Sequence, residues 1–202
     1  MLDLFIPNNW FKHQFSKLDS RYPTMKVAIN LFIQNGGSLI LETGCQRQLE
    51  DWGAGCSTTV FGTVAQKYQK FLITVDNNEK HLGIAQEITL DLASFIKYEL
   101  SNSVTYLNRF VDKIDLLYLD SWDYPLGFDY KTDEDYQRAI EDCQQHCLKE
   151  IKAAESNLHY NSVILIDDWD FPRGGKGKLA VDHLLNQKWQ IVLDMQQVLL
   201  KR

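Results

Sequence analysis

The sequence predicts an α/β fold in which helices cover both faces of a largely parallel, seven-stranded sheet that ends in an antiparallel hairpin. Three observations lead there. Short apolar runs alternate with longer amphipathic stretches for most of the 202 residues, the pattern of strand–helix–strand units. Runs such as SLIL, FLITV, IDLLYL and VILI are almost wholly apolar, as expected of strands covered on both faces. The last two runs, residues 189–193 and 198–200, are too close together for a crossover helix, so they should pair as a hairpin.

Taken in order, residues 1–22 form a helical, aromatic-rich arm carrying Trp10, Phe11 and Phe15, and residues 23–202 form a single domain. A helix is expected over 23–35, stopped by Gly36 and Gly37. Residues 38–41 read as the first strand, 57–70 as a helix and 71–75 as the second strand. A long helix over 79–100 then leads to a third strand over 104–107. The fourth strand is 114–119, a helix starts at Asp133, the fifth strand is 163–166, and a helix over 178–186 precedes the hairpin. Within the helix from Asp133, the residues Tyr136, Ile140, Cys143, Cys147 and Ile151 recur three or four apart, the spacing of a buried stripe. Thr132, with Asp135 three positions on, supplies a cap for that helix. Cys143 and Cys147 therefore read as core residues rather than zinc ligands, which need a second ligand pair.

Composition narrows the function. Lys and Arg total 21 against 27 Asp and Glu, a net charge of −6 without basic blocks, which argues against a nucleic-acid backbone as partner. No run approaches the roughly 18 apolar residues of a membrane span, and no basic segment leads into an apolar one at the start, so the expected compartment is the cytoplasm, with no membrane partner. The four cysteines are too few for a disulfide framework and are expected as thiols.

In open α/β sheets ligands bind beyond the carboxyl ends of the strands. There the sequence places Glu42, Thr43 and Gly44 after the first strand and, past a polar insertion, Gly53, Gly55 and Ser57. Asp76 follows the second strand, Asp120 and Asp123 the fourth, Asp167 and Asp168 the fifth. Glycines allow close backbone approach, and an acid after the second strand can accept hydrogen bonds from a ribose diol. Gly53, Gly55 and Thr58 make a GxGxxT about 20 residues before Asp76, superficially a dinucleotide fingerprint. It is misplaced: the preceding QRQLED cannot be a buried strand, and an acid at Glu42 would repel a pyrophosphate but suit the ammonium of a methionine moiety.

The segments LILETGC, GAGCST, LITVDNNE, IDLLYLDSWD and VILIDDWD resemble the successive motifs of class I S-adenosylmethionine-dependent methyltransferases. The likeness spans residues 36–195 and is nearest to the small macrocin-, catechol- and caffeoyl-CoA-type O-methyltransferases, in which ETG replaces the commoner acid-x-Gly-x-Gly-x-Gly. It implies a Rossmann-like sheet and S-adenosylmethionine as cofactor. Glu42, Gly44, Gly53, Gly55 and Ser57 would line the methionine side, Asp76 would hold the ribose, and Asn108 is the candidate for the adenine side. The insertion CQRQLEDW between Gly44 and Gly53 departs from the pattern. Metal-dependent members of this branch direct three acids at one divalent cation, and Asp120, Asp167 and Asp168 stand at those positions. An all-oxygen set suits Mg²⁺, with Ca²⁺ or Mn²⁺ as substitutes.

The function expected from these residues is methyl transfer to a hydroxyl oxygen of a small-molecule acceptor, assisted by Mg²⁺, with Asp120 at the reacting centre and Asp123 as general base. A nucleotide-dependent oxidoreductase or sugar-nucleotide enzyme, and a catalytically silent binding protein of the same fold, are the alternatives. Trp52, Trp122, Trp169, Tyr124 and Phe171 flank the motifs as acceptor contacts or loop plugs. The arm is expected to cover the acceptor side or to make a homodimer contact. Residues 173–178 read as a solvated basic loop or an anion site, and no histidine is assigned a role.

Overall fold

The computed structural model describes residues 7–54, 56–127 and 129–202. Its seven strands are β1 (Leu39–Thr43), β2 (Phe71–Asp76), β3 (Ile96–Leu100), β4 (Ile114–Leu119), β5 (Leu158–Ile166), β6 (Gln190–Asp194) and β7 (Val198–Lys201). They form one sheet in the order β3-β2-β1-β4-β5-β7-β6. The first five are parallel to one another, and β7 runs antiparallel between β5 and β6. The expected parallel sheet with a terminal hairpin is therefore present.

Alternation along the strands splits the core in two. Ile40, Leu72, Leu116, Tyr118, Val163, Leu165 and Leu199 face a cluster built with α1 (Asn8–Phe15), α2 (Tyr22–Gln34) and α3 (Ser57–Tyr68). Leu41, Ile73, Val75, Leu117, Leu119, Ile164, Ile166 and Leu200 face α5 (Ser103–Arg109), α6 (Asp133–Ala154) and α7 (Lys178–Asn186). Covering both faces explains the unbroken apolar runs of the central strands. The predicted stripe of α6 is in place, with Ile140, Cys143, Cys147 and Ile151 buried, and the Thr132 hydroxyl accepts from the Asp135 amide at 3.1 Å.

One stretch is organised differently from the sequence reading. The helix expected over 79–100 stops early, as α4 (Glu79–Ile88); a 3₁₀ turn (Leu90–Phe95) follows, and residues 96–100 are the third strand. The break lies at Thr89, whose buried hydroxyl donates to the Ala85 carbonyl and meets the Tyr98 hydroxyl, both at 2.6 Å. As an edge strand β3 pairs, among the described residues, with β2 alone. One side carries Ile96 and Tyr98 into the core, while Lys97 and Glu99 pair at 2.6 Å on the other, so IKYEL lacks the apolar run of a central strand. Residues 104–107, expected as that strand, lie in α5, whose start is capped by Asn102 accepting from the Thr105 amide. The fifth strand also begins earlier than expected, at Leu158, because its polar HYNS segment spans an irregular register between Ile114 and Leu116 of β4.

Of the N-terminal arm, residues 1–6 lie outside the described part. Phe11 and Phe15 are fully buried in the first core cluster, 4.9 Å apart edge to face, and Trp10 packs on Phe15 and Tyr68. These aromatics seal the sheet rather than face the carboxyl ends of the strands. Phe11→Ala should cost about 3–5 kcal/mol of unfolding free energy in urea titrations. A loss below 1 kcal/mol would show that α1 is an appendage.

Candidate functional site

The strand order reverses direction between β1 and β4, and the chain leaves an open crevice of about 620 Å³ at their carboxyl ends. Gly44, Cys45, Ser57, Asp76, Asp120, Ser121 and Asp123 line it. Gly44 is required by contact: its φ is +83°, and a Cβ there would fall 2.4 Å from the Asp120 carbonyl oxygen. Any side chain would wedge the ends of β1 and β4 apart.

The insertion after Gly44 folds back on the start of α3. The Gln46 amide donates to Thr58 Oγ1 at 2.9 Å, and Thr59 Oγ1 donates to the Gln46 side chain. Anchored there, Arg47 reaches across the mouth and grips both oxygens of Asp123 at 2.7 and 3.0 Å. Burial pushes the Asp123 carboxyl up, but the Arg47 hydrogen bonds and charge outweigh it and hold the group below its ordinary value. A carboxylate held in that state is a weak base.

Glu42, the last but one residue of β1, is completely buried. Its Oε2 accepts from Thr58 Oγ1 at 2.8 Å, while its Oε1 has no hydrogen-bond partner among the described residues. Burial pushes its carboxyl up to about 7, partly offset by the hydroxyls of Ser57, Thr74 and Thr58. Asp76 ends β2 at the crevice wall, where Oδ1 accepts from the Asn78 amide at 2.8 Å and Oδ2 from the Cys45 thiol at 3.4 Å.

Beyond Asp76 the crevice runs into a second hollow of about 340 Å³ between the ends of β2, β3 and β4. Ser103, Ser121, Trp122 and His146 line it. His146 Nε2 meets Ser121 Oγ at 3.0 Å and Ser103 Oγ at 3.2 Å, and Ser121 donates to buried Glu150 at 2.6 Å. Burial alone would push Glu150 up; His146 and the two serines hold it below its ordinary value.

The three acids expected to converge do so: Asp120, Asp167 and Asp168 each bring an oxygen within 4.8 Å of the others. The register Leu119↔Ile166 sets the ends of β4 and β5 side by side. Two cations meet them there: Arg21, which the sequence reading passed over, and Lys176, which it placed in a solvated or anion-binding basic loop but which is buried against these acids. Arg21, at the end of a 3₁₀ turn (Ser16–Arg21), donates from Nε to both oxygens of Asp167 at 3.0 and 3.2 Å and from Nη2 at 3.0 Å. Lys176 bonds Asp120 Oδ1 and lies 3.3 Å from Asp168 Oδ2. Burial drives Asp120 well above its ordinary value, Lys176 pulls it back, and Asp167 and Asp168 add to the rise. Burial alone would lower Lys176, but the three acids hold it protonated, well above its ordinary value.

Other sequence candidates are more scattered. Gly53 is exposed, and its carbonyl accepts from Arg21 Nη1; Gly55 lies outside the described residues. Asn108 sits on an exposed face of α5 with its amide on the Val104 carbonyl, away from both hollows. Its selection followed from placing the third strand at 104–107; the true strand end puts Ser101, Asn102 and Ser103 at the second hollow instead. Of the aromatics, Trp122 is half exposed and packs on His146, whereas Tyr124 is buried against Phe171 and Trp169 donates to Asp194. His146 and Glu150 were readable as an i, i+4 pair beside the cysteine stripe, and Lys176 as the one side chain set between two glycines after β5.

No protein-family model matches the chain, and no curated protein sequence matches it. Solved structures do. The SAH-bound methyltransferase PaMTH1 of Podospora anserina aligns over 97% of this chain and 88% of its own, with a TM-score of 0.61 at 14% identity. CalS11, a TDP-rhamnose 3′-O-methyltransferase of calicheamicin biosynthesis, aligns over 98% and 88%, with a TM-score of 0.61 at 13% identity. The chain carries the Rossmann-like methyltransferase fold. A ribosomal protein L11 methylase from Lactobacillus delbrueckii subsp. bulgaricus shares it at a TM-score of 0.50 and 14% identity, over 89% of this chain and 77% of its own. No helix among the described residues of this methyltransferase-fold chain is long and apolar enough to cross a membrane.

Glu42 gives this fold a pH signature. Its folded value of about 7 lies above the ordinary 4.5, so the native state holds the proton more tightly than the unfolded chain. The cost of ionising it is absent below about pH 4.5, grows up to about pH 7 and is constant above. Glu42→Gln should therefore stabilise the ligand-free protein at pH 8 by up to about 3 kcal/mol, with the gain shrinking towards zero at pH 4.5. Urea titrations across that range check it; a pH-independent difference would mean that Glu42 is ionised throughout.

Proposed function

We propose that the chain is an S-adenosylmethionine-dependent methyltransferase acting on oxygen in a small-molecule acceptor. The observation that carries this is Glu42: a buried carboxylate with a free oxygen, at the end of β1, beside a crevice whose walls are acidic. Such a site suits a ligand bearing an ammonium and a sulfonium. A pyrophosphate would meet Asp76, Asp120 and Asp123 at close range, which disfavours the dinucleotide reading.

The residues fit the cofactor. Glu42 and Ser57 would take the methionine end, Gly44 lets the ligand approach the backbone, and Asp76 would accept from both ribose hydroxyls. Ser103 and His146 close the far hollow, the place left for the base. When bound, S-adenosylmethionine supplies an already activated methyl group. The chain's own part is to align the acceptor and exclude water. Asp120 is proposed as the carboxylate facing the acceptor in preference to Asp123, because Arg47 occupies both oxygens of Asp123 while Asp120 keeps Oδ2, 3.4 Å from the Tyr118 hydroxyl, off the lysine. The half-exposed Trp122 gives the crevice rim a flat apolar face for a planar or sugar-like acceptor.

Calorimetry with S-adenosylhomocysteine tests the cofactor. Asp76→Ala should bind it about a hundredfold more weakly, since hydrogen bonds to a charged acceptor contribute about 1.5–3 kcal/mol each, and Glu42→Gln should also weaken it. NAD and NADP should leave the melting temperature unchanged. Wild-type affinity in a folded Asp76→Ala protein would remove Asp76 from the site, and a shift with NAD would favour the oxidoreductase. Turnover of labelled S-adenosylmethionine with metabolite pools separates an enzyme from a silent binding protein.

A further inference from the structure

The acid cluster has the composition of a divalent-cation site, but each of its acids already faces a buried cation. Lys176 spans Asp120 and Asp168, and Arg21 is forked on Asp167 and stands 3.7 Å from Asp168 Oδ1. Both cations are buried, their side chains 3% and 8% exposed. A divalent ion set among these acids would share a poorly solvated space with two fixed positive charges, whose repulsion is strong at such separations. It would also have to displace the ammonium from the two carboxylates it needs most.

The loop after β5 is shaped to deliver that ammonium. Gly175 has a φ of +55°, and a Cβ on it would fall 1.7 Å from the Asp168 carbonyl oxygen, so only glycine lets the chain close on Asp168 there. The Lys176 amide then donates to the same carbonyl at 3.2 Å. From α6, Gln144 Nε2 donates to the carbonyls of Gly175 at 2.9 Å and Arg173 at 3.3 Å. Asp168 itself adopts a left-handed conformation, with φ of +52°. Backbone strain of this kind persists only where the surroundings over-determine it, and here it turns the Asp168 side chain towards Lys176.

We infer that Lys176 is the resident cation of the acceptor end of the crevice: a tethered ammonium, backed by Arg21, that holds Asp120 and Asp168 in place of a divalent metal ion. Lys176 is thus a positioning residue. It fixes the carboxylate at the crevice floor without exchange, and the site takes up no Mg²⁺ or Mn²⁺. This inference concerns the cluster alone and stands or falls independently of the cofactor.

Mn²⁺ is the probe, read by the electron-paramagnetic signal of the free ion and by melting temperature, with and without S-adenosylhomocysteine. Wild-type protein should leave the signal and the melting temperature unchanged. Lys176→Ala should bind one Mn²⁺ and melt about 5 °C or more higher at a hundredfold excess over Kd, and Asp168→Asn in that background should abolish the effect. Lys176→Met, which keeps the bulk of the stem, replaces the alanine variant if that fails to fold. Mn²⁺ retained by the wild type and lost in Asp168→Asn overturns the inference, and so does a folded Lys176 variant that binds no Mn²⁺. The wild-type measurement decides on its own if neither variant folds.

Discussion

Asp120, Asp167 and Asp168 lie at the carboxyl ends of two neighbouring parallel strands, where the register of β4 on β5 forces them together and out of bulk water. Three unscreened carboxylates in such a place would cost several kcal/mol each, so cations must reach them, and the route each takes organises the surrounding chain. Arg21 arrives from the N-terminal side and is held by the Gly53 carbonyl as well as by Asp167. That tie connects the 3₁₀ turn before α2 to the turn before α3. Lys176 arrives from the other direction, on a glycine loop that α6 clamps through Gln144. The aromatic seal of Phe11 and Phe15 lies on the segment leading to Arg21.

The same end of the sheet holds Glu42, whose Oε1 has no hydrogen-bond partner among the described residues. Glu42 keeps a bare oxygen in a dry position, an arrangement that destabilises the ligand-free protein. Sites that bind charged ligands commonly carry such a cost, because the group that ligand binding satisfies is unsatisfied without it. The contrast between the two ends is informative. Acids near β5 have internal cationic partners, whereas Glu42 and Asp76, in β1 and β2, have hydrogen bonds from neutral donors, with His81 3.8 Å from Asp76; under the proposed function these two are the groups that would take the cofactor.

Much of this was legible in the residues. The central strands announce themselves because both their faces are covered, and the hairpin because its two runs are so close. Edge strand β3 is hidden, since Lys97 and Glu99 face away from the core and IKYEL follows a helix without a glycine or proline between them. Misplacing that strand carried Asn108 into the site in place of the true neighbours of the far hollow. The convergence of Asp120, Asp167 and Asp168 follows from strand ends, which sequence shows. Their partner Arg21 does not: it is 146 residues from Asp167, and nothing local distinguishes it from a solvated arginine. Arg47 belongs to an insertion whose folding depends on the Gln46 contacts with Thr58 and Thr59, a tertiary fact with no periodic signal.

A tethered ammonium and a bound metal ion differ in what they leave open. A divalent ion has coordination positions to offer an acceptor oxygen and its neighbour, which favours acceptors with two adjacent oxygens. Lys176, packed behind Asp120 with its side chain 3% exposed, offers no such positions and can act on an acceptor only through the carboxylate it orients. The crevice then presents Asp120 as a fixed hydrogen-bond acceptor, with Arg47 and Asp123 bridging the mouth at half exposure. Under the proposed function, selectivity would then rest on shape and on single hydrogen bonds at the floor rather than on chelation, with Trp122 and the Arg47–Asp123 bridge bounding the acceptor. The fold serves a sugar acceptor in CalS11 and a protein acceptor in the L11 methylase; under the function proposed for this chain, the acids lining the crevice would favour a neutral or cationic acceptor over a polyanion, because a phosphate brought to the floor would meet Asp76 and Asp120.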